Sequence, residues 1–188
     1  MAWHKQHKEN SKDKILTSAA NLFTRYGFEK VSINQVMNNA KLTRGAFYAH
    51  FKSKSELYAQ AIIKAGNLAK NDHIKNCDGS FLAITKSYLS EQHRDEKIKN
   101  LCPLAFLVTD INQQNEVVKA TYTEVFKGFL ANTEQQSNSS QTALQTAALM
   151  IGGLALAKAI SDPTLSDDLL VACQEGVMTL LAKNAETR

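Results

Sequence analysis

The chain carries only 2 Pro and 8 Gly in 188 residues. Few segments are therefore punctuated by turns, which favours long helices over many short strands. Apolar residues recur at helical spacing. Ile15, Ala19, Leu22, Phe23 and Tyr26 form one face of a first helix over residues 11–26, with Ser11 as its N-cap and Gly27 as its stop. No convincing period-2 run occurs, so the expected fold class is all-α, with about nine helices.

Composition narrows the class further. Hydrophobic residues make up 44% and charged residues 21%, as in a soluble globular chain. No run of 18 apolar residues exists, so no membrane span is expected. The first residues lack the apolar stretch of a secretory signal. Cys77, Cys102 and Cys173 are odd in number and widely spaced, which excludes a complete disulfide framework and a Cys-x-x-Cys site. A cytoplasmic protein is the expectation. No Ser/His/Asp set, paired acids or His-x-x-x-His spacing stands out, so neither an enzyme nor a metal or other cofactor is expected.

Charge is unevenly spread. Residues 1–60 hold ten Lys/Arg against four Asp/Glu, whereas the remaining residues hold twelve against fourteen. A basic first third on a near-neutral remainder suits a polyanion-binding module, or a solubilising tail.

Local signals sharpen the first alternative. Ser32 with Gln35 three residues on is a capping-box pattern opening a short helix over residues 32–40. Lys41 and Leu42 make a tight connection, and Thr43 caps a second short helix over residues 44–51, with Phe47 and Phe51 inward. Two short helices so joined make a helix-turn-helix, whose second helix enters the major groove. Arg44 can bond guanine in bidentate fashion. Gly45 removes a side chain where backbone must approach DNA. Tyr48, His50, Lys52 and Lys54 offer phosphate donors, and the Ser32 and Thr43 hydroxyls lie at helix starts ready for phosphate oxygens. An ordinary helical hairpin is the bland alternative.

The segment LTRGAFYAHFKSKSEL, residues 42–57, resembles the recognition segment of tetracycline-repressor-type (TetR/AcrR) transcriptional regulators. The preceding ILTSAANLFTRYGFEKVSINQVMNNA is similar to that family's first two helices. The resemblance implies a homodimeric regulator with one N-terminal reading head per subunit and a helical C-terminal domain that binds a small effector. It puts Arg44, Gly45 and Ala46 at base-facing positions, and Thr43, Tyr48, His50 and Lys54 at phosphate-contacting ones. Lys41 departs from the Gly of many members, implying strained backbone or a different turn. The expected organisation is a flexible basic arm (1–10), a helix-turn-helix domain (11–56) and a helical effector-binding and dimerisation domain (57–188). A repressor of a near-palindromic operator, released by its effector through the helix after residue 54, follows from the same resemblance.

The C-terminal two-thirds is read mainly from pattern. Residues 142–160 are apolar nearly all round, so that helix needs burial on most sides. Packing against a second copy is one solution, with Ala148, Gly152, Leu156, Leu170 and Val177 at the interface. A central core helix is the other. Phe81, Tyr88, Cys102, Phe106, Tyr122 and Phe126 could line a pocket for an unknown small, apolar or weakly polar effector, or be plain core. Cys102 precedes Pro103 at a helix start, where a thiolate is stabilised. An alternative function follows: a DNA-binding regulator without a small effector, acting through a partner protein or sensing oxidants and electrophiles at Cys102. Some members with a similar Gly/Cys-led segment are thiol sensors. A packed, inert cysteine is the alternative there. Residues 135–141 read as a surface loop, and His93 as a histidine in polar surroundings.

Overall fold

The computed structural model describes residues 2–75, 80–137 and 139–186, with side chains except those of 2–5, 7, 73–75 and 184–186; Cys77 lies outside the described residues. All regular structure among these residues is helical, in eleven helices: α1 (Ala2–Lys30), α2 (Ile33–Asn39), α3 (Arg44–Tyr48), α4 (Lys54–Lys75), α5 (Phe81–Tyr88), α6 (Glu91–Arg94), α7 (Pro103–Phe106), α8 (Val108–Ile111), α9 (Glu116–Ser137), α10 (Ser140–Ala159) and α11 (Pro163–Glu186).

The count exceeds nine because two expected helices are each broken. At Leu89 the backbone leaves the helical region (φ −90°, ψ 57°), and the Ser90 hydroxyl accepts the His93 amide to start α6. At Leu107 (φ −111°, ψ 4°) a second break separates α7 from α8. Other boundaries also moved. Helical backbone extends back to Ala2, so Ser11 is not an N-cap; its hydroxyl donates to the Lys8 carbonyl inside the helix (2.9 Å). The polar run 135–141 is mostly helix, with α9 reaching Ser137 and α10 starting at Ser140 on the Ser139 cap. α11 begins earlier than residue 166, because Pro163 suits a first turn and the Asp162 carboxylate accepts the Leu165 amide at 3.2 Å.

The chain divides into two compact units. Residues 1–68 with 101–123 form the first; residues 69–100 with 124–188 form the second. Segment 101–123 thus packs with the head, a division the boundary at residue 57 does not anticipate.

In the first unit, Ile15, Phe23, Val36, Met37, Phe47, Phe51, Leu57 and Tyr58 are buried together as a core. Ser18 donates to the Val36 carbonyl at 2.8 Å and ties α1 to α2. Gly27 breaks α1 with φ +78°, a left-handed backbone that favours glycine. Beside it Asp110 accepts the Phe28 amide (3.1 Å) and the Tyr58 hydroxyl. Burial and this carboxylate push the Tyr58 phenol well above its ordinary range.

In the second unit α10 and α11 pack closely. A Cβ on Gly153 would lie 2.6 Å from Cys173 Sγ, and one on Gly176 would lie 3.1 Å from Leu149. Burial pushes the Cys173 thiol up. α10 is long and apolar enough to cross a membrane by length and composition alone, but half of that window is buried inside the protein.

Candidate nucleic-acid interface

α2 and α3 are held by their buried sides. Val36 and Met37 anchor the first, and Phe47 the second. The Phe47 ring stacks on Phe51 at 5.8 Å and meets Tyr48 edge-on at 5.1 Å. A helix as short as α3 has little stability of its own, so these aromatic contacts fix its pose.

The capping box at Ser32 is formed on both sides. Ser32 Oγ accepts the Gln35 amide at 3.2 Å, and Gln35 Oε1 accepts the Ser32 amide at 2.7 Å. Ser32 Oγ also donates to Gln35 Oε1 (2.9 Å), so this hydroxyl is engaged inside the cap. Thr43 precedes α3 without a side-chain cap bond, and its residue is exposed. Lys41 takes φ 56°, with Leu42 N–H donating to the Met37 carbonyl at 3.0 Å. This is a helix-ending motif in which glycine usually supplies the left-handed residue. The strained of the two expected alternatives is therefore the one adopted.

Beyond that turn the outer face is open. Arg44, Gly45, Lys52 and Ser53 are exposed, and Tyr48 is 61% exposed. The Arg44 guanidinium reaches Tyr48 Oη only at 3.5 Å. A Cβ on Gly45 would meet nothing closer than Thr43 Oγ1 at 3.9 Å, so no internal packing demands a glycine there. Ala46 is half-buried and turns partly inward. Lys54 lies at the start of α4 with its ammonium 4.1 Å from the Phe28 ring centroid, a cation–π contact that holds it in place. Ser53 Oγ accepts the Glu56 amide at 3.1 Å, and Glu56 accepts the Lys52 amide at 2.8 Å, a second reciprocal cap. His50 is half-buried, with Nε2 2.8 Å from Ser11 Oγ.

Arg44, Lys52 and Lys54 form no ion pair among the described residues, whereas Arg94, Lys97, Lys119, Lys127 and Lys158 each hold an acid. The expected head residues thus gather around one end of the first unit, mostly exposed.

The expected pocket residues are drawn from both units. Cys102, Phe106 and Tyr122 belong to the first unit; Phe81, Tyr88 and Phe126 belong to the second. Tyr122 donates to the Leu104 carbonyl at 2.6 Å, and Cys102 is buried before α7. Tyr88 is buried, edge-on to His93 at 5.0 Å. His93 corrects its expectation: it is fully buried, with Nδ1 2.9 Å from the Tyr88 carbonyl. Its polar neighbours in sequence hid the apolar face it joins. Thr85 and Thr146 are also fully buried, and their hydroxyls have no partner among the described residues. A threonine inside a helical stripe carries no signal that its oxygen is unpaired, so sequence reading missed both. Among the described residues no cluster of potential ligands could hold a metal ion.

The expected interface residues split as well. Ala148 and Leu156 are exposed, and Gly152 has open space beside it. Leu170 and Val177 are instead core residues of their own unit, 2% and 0% exposed, so they do not lie on a free face. α11 packs them inward against the second unit's interior, leaving Val171 on its outside.

Among the described residues, an all-helical fold whose short α3 stands exposed behind a capped α2 has the form of a helix-turn-helix. Residues 15–61 match the family model described as "Bacterial regulatory proteins, tetR family". That match covers 47 of the 188 residues, from α1 into α4. It is 47% identical over 49 residues to the A-factor receptor protein of Streptomyces griseus, covering 26% of this chain and 17% of that protein. It is 29% identical over 123 residues to an HTH-type transcriptional regulator in the lacX 3'region of Lactococcus lactis subsp. lactis, covering 62% of this chain and 63% of that one. The matched segments thus span less than two thirds of either relative. A TetR-family transcriptional regulator from Cytophaga hutchinsonii shares the fold, with TM-score 0.73 at 16% identity over 94% of this chain and 96% of that one.

Proposed function

We propose that the chain is a cytoplasmic, homodimeric repressor that binds a near-palindromic duplex operator and releases it when a small effector binds. The observation that carries the DNA reading is the open face of α3. Gly45 has no internal neighbour, Arg44 and Tyr48 are exposed, and the surrounding cations lack acidic partners. Arg44 and Gly45 serve base edges; Thr43, Tyr48, His50, Lys52 and Lys54 serve phosphates. Ser32, occupied by its cap, contributes chiefly through the geometry of α2.

The second unit supports the other two parts. Leu144, Ala148, Gly152 and Leu156 follow each other at four-residue spacing on one side of α10, with Leu144 51% and Leu156 59% exposed. Leu165 and Val171 of α11 are also more than half exposed. Such an apolar stripe suits a four-helix bundle with a second copy. The buried, unpaired hydroxyls of Thr85 and Thr146 suit a weakly polar effector, because burying a hydroxyl without a partner is costly. α4 contributes residues to both units and is the element through which effector binding would reorient the head. Burial of Cys102 weighs against the alternative in which oxidants act there.

The test is duplex binding by fluorescence anisotropy, using DNA that flanks the chain's own coding region. Saturable binding that weakens steeply with salt is expected. No affinity at low ionic strength overturns the reading.

A further inference from the structure

The first ten residues read as an arm in the sequence, but helical backbone runs back to Ala2. That extension brings α1 residues against the end of the recognition segment. Ser11 Oγ donates to the Lys8 carbonyl at 2.9 Å, so it accepts the Nε2 proton of His50 across 2.8 Å. The other ring nitrogen, Nδ1, has no hydrogen-bond partner among the described residues. Lys8 and Lys12 flank Ser11 one turn apart on the same face. Lys12 Nζ lies 5.7 Å from the Phe51 ring centroid. Neither lysine meets an acid among the described residues. The nearby α1 acids do not neutralise the group: Asp13 is engaged by Lys64 at 2.7 Å, and Glu9 is exposed. Partial burial, then Lys8, then Lys12, lowers the His50 pKa, so both cations act on the ring.

We propose that Lys8 and Lys12 of α1, which lie outside the helix-turn-helix, join His50 at its end to form a binding site for one phosphodiester group of duplex DNA. The inference rests on the DNA-binding reading above. The phosphate sits among two ammonium groups and accepts the Nδ1 proton of an imidazolium whose Nε2 proton is already held by Ser11. In the free protein the two lysines disfavour the charged ring, and a phosphate relieves that repulsion. Phosphate favours the charged ring, so His50 titrates higher in the complex than alone. Binding therefore takes up a proton, and affinity falls as pH rises through the His50 pKa of the complex.

The experiment measures affinity of the full chain for a short mixed-sequence duplex against salt concentration, where only phosphate contacts contribute. Lys8→Gln with Lys12→Gln should reduce the magnitude of the log–log salt slope by about 0.9, the value for one lost phosphate contact. Lys8 is exposed and Lys12 half-buried, neither inside the core, so helix content should stay unchanged. His50→Gln should flatten the affinity between pH 5.5 and 7.5 (about one unit either side of the free imidazole value), and the His50 proton resonance should titrate higher when duplex is added. An unchanged salt slope in the double variant, or a His50 titration unmoved by duplex, overturns the inference while leaving the head assignment intact. Failure of the wild-type chain to bind duplex would overturn the DNA-binding reading and this inference with it.

Discussion

Gly45 and Gly27 are opposite cases of the same residue. Gly45 sits in open space, with its nearest potential Cβ contact at 3.9 Å. Gly45→Val should therefore leave folding almost untouched while blocking approach of a base edge. The expected outcome is an unchanged melting temperature and loss of most duplex affinity. Retained affinity would show that α3 does not enter a groove. Arg44→Ala should cost roughly 1–3 kcal/mol of binding and relax base preference at one position, read from competition among variant duplexes. Lys54→Ala should weaken all duplexes alike, since a phosphate contact carries no base information. Gly27 has no such freedom. Its φ of +78° and the Asp110 oxygen 2.9 Å from a built Cβ penalise any side chain. Gly27→Ala should destabilise the fold by about 1–3 kcal/mol, measured by urea unfolding.

Among the elements, α2 shows where strain is held. Lys41 occupies the left-handed position that ends this helix. Lys41→Gly should raise stability by about 1 kcal/mol, a gain of roughly 2–4 °C in melting temperature. If duplex affinity drops in the same variant, the lysine is retained as a phosphate donor at the expense of backbone comfort. An unaltered melting temperature would show that the turn relaxes around Lys41 instead. The head's elements were readable because their signals are local. Ser32 with Gln35, Ser53 with Glu56, and buried Phe47 and Phe51 all act within a few residues. The Leu89 and Leu107 breaks were not readable, because neither place carries a Gly or Pro to mark it. Asp110 was invisible as well. Its partners, Phe28 and Tyr58, lie 82 and 52 residues away in sequence.

At the scale of the molecule, an apolar α10 needs neighbours that bury it on more than one side. α11 covers one side, where Gly153 and Gly176 allow close approach to Cys173 and Leu149. Leu170 and Val177 of α11 are buried within this unit, 2% and 0% exposed. The opposite side, marked by Leu144 and Leu156, stays more than half exposed. Two large leucines on one face, separated by Ala148 and Gly152, let a second helix approach closely, so a second copy is the economical cover. In the proposed homodimer, replacing both leucines with Glu places like charges opposite their symmetry mates across the axis. Sedimentation equilibrium should then report a monomer with unchanged helix content. Because two linked heads bind a palindrome with the second contact intramolecular, such a monomer should lose about 10²–10⁴-fold in affinity for a two-half-site duplex. Its affinity for a single half-site should be unaltered. A double variant that remains dimeric would place the subunit interface elsewhere on the chain.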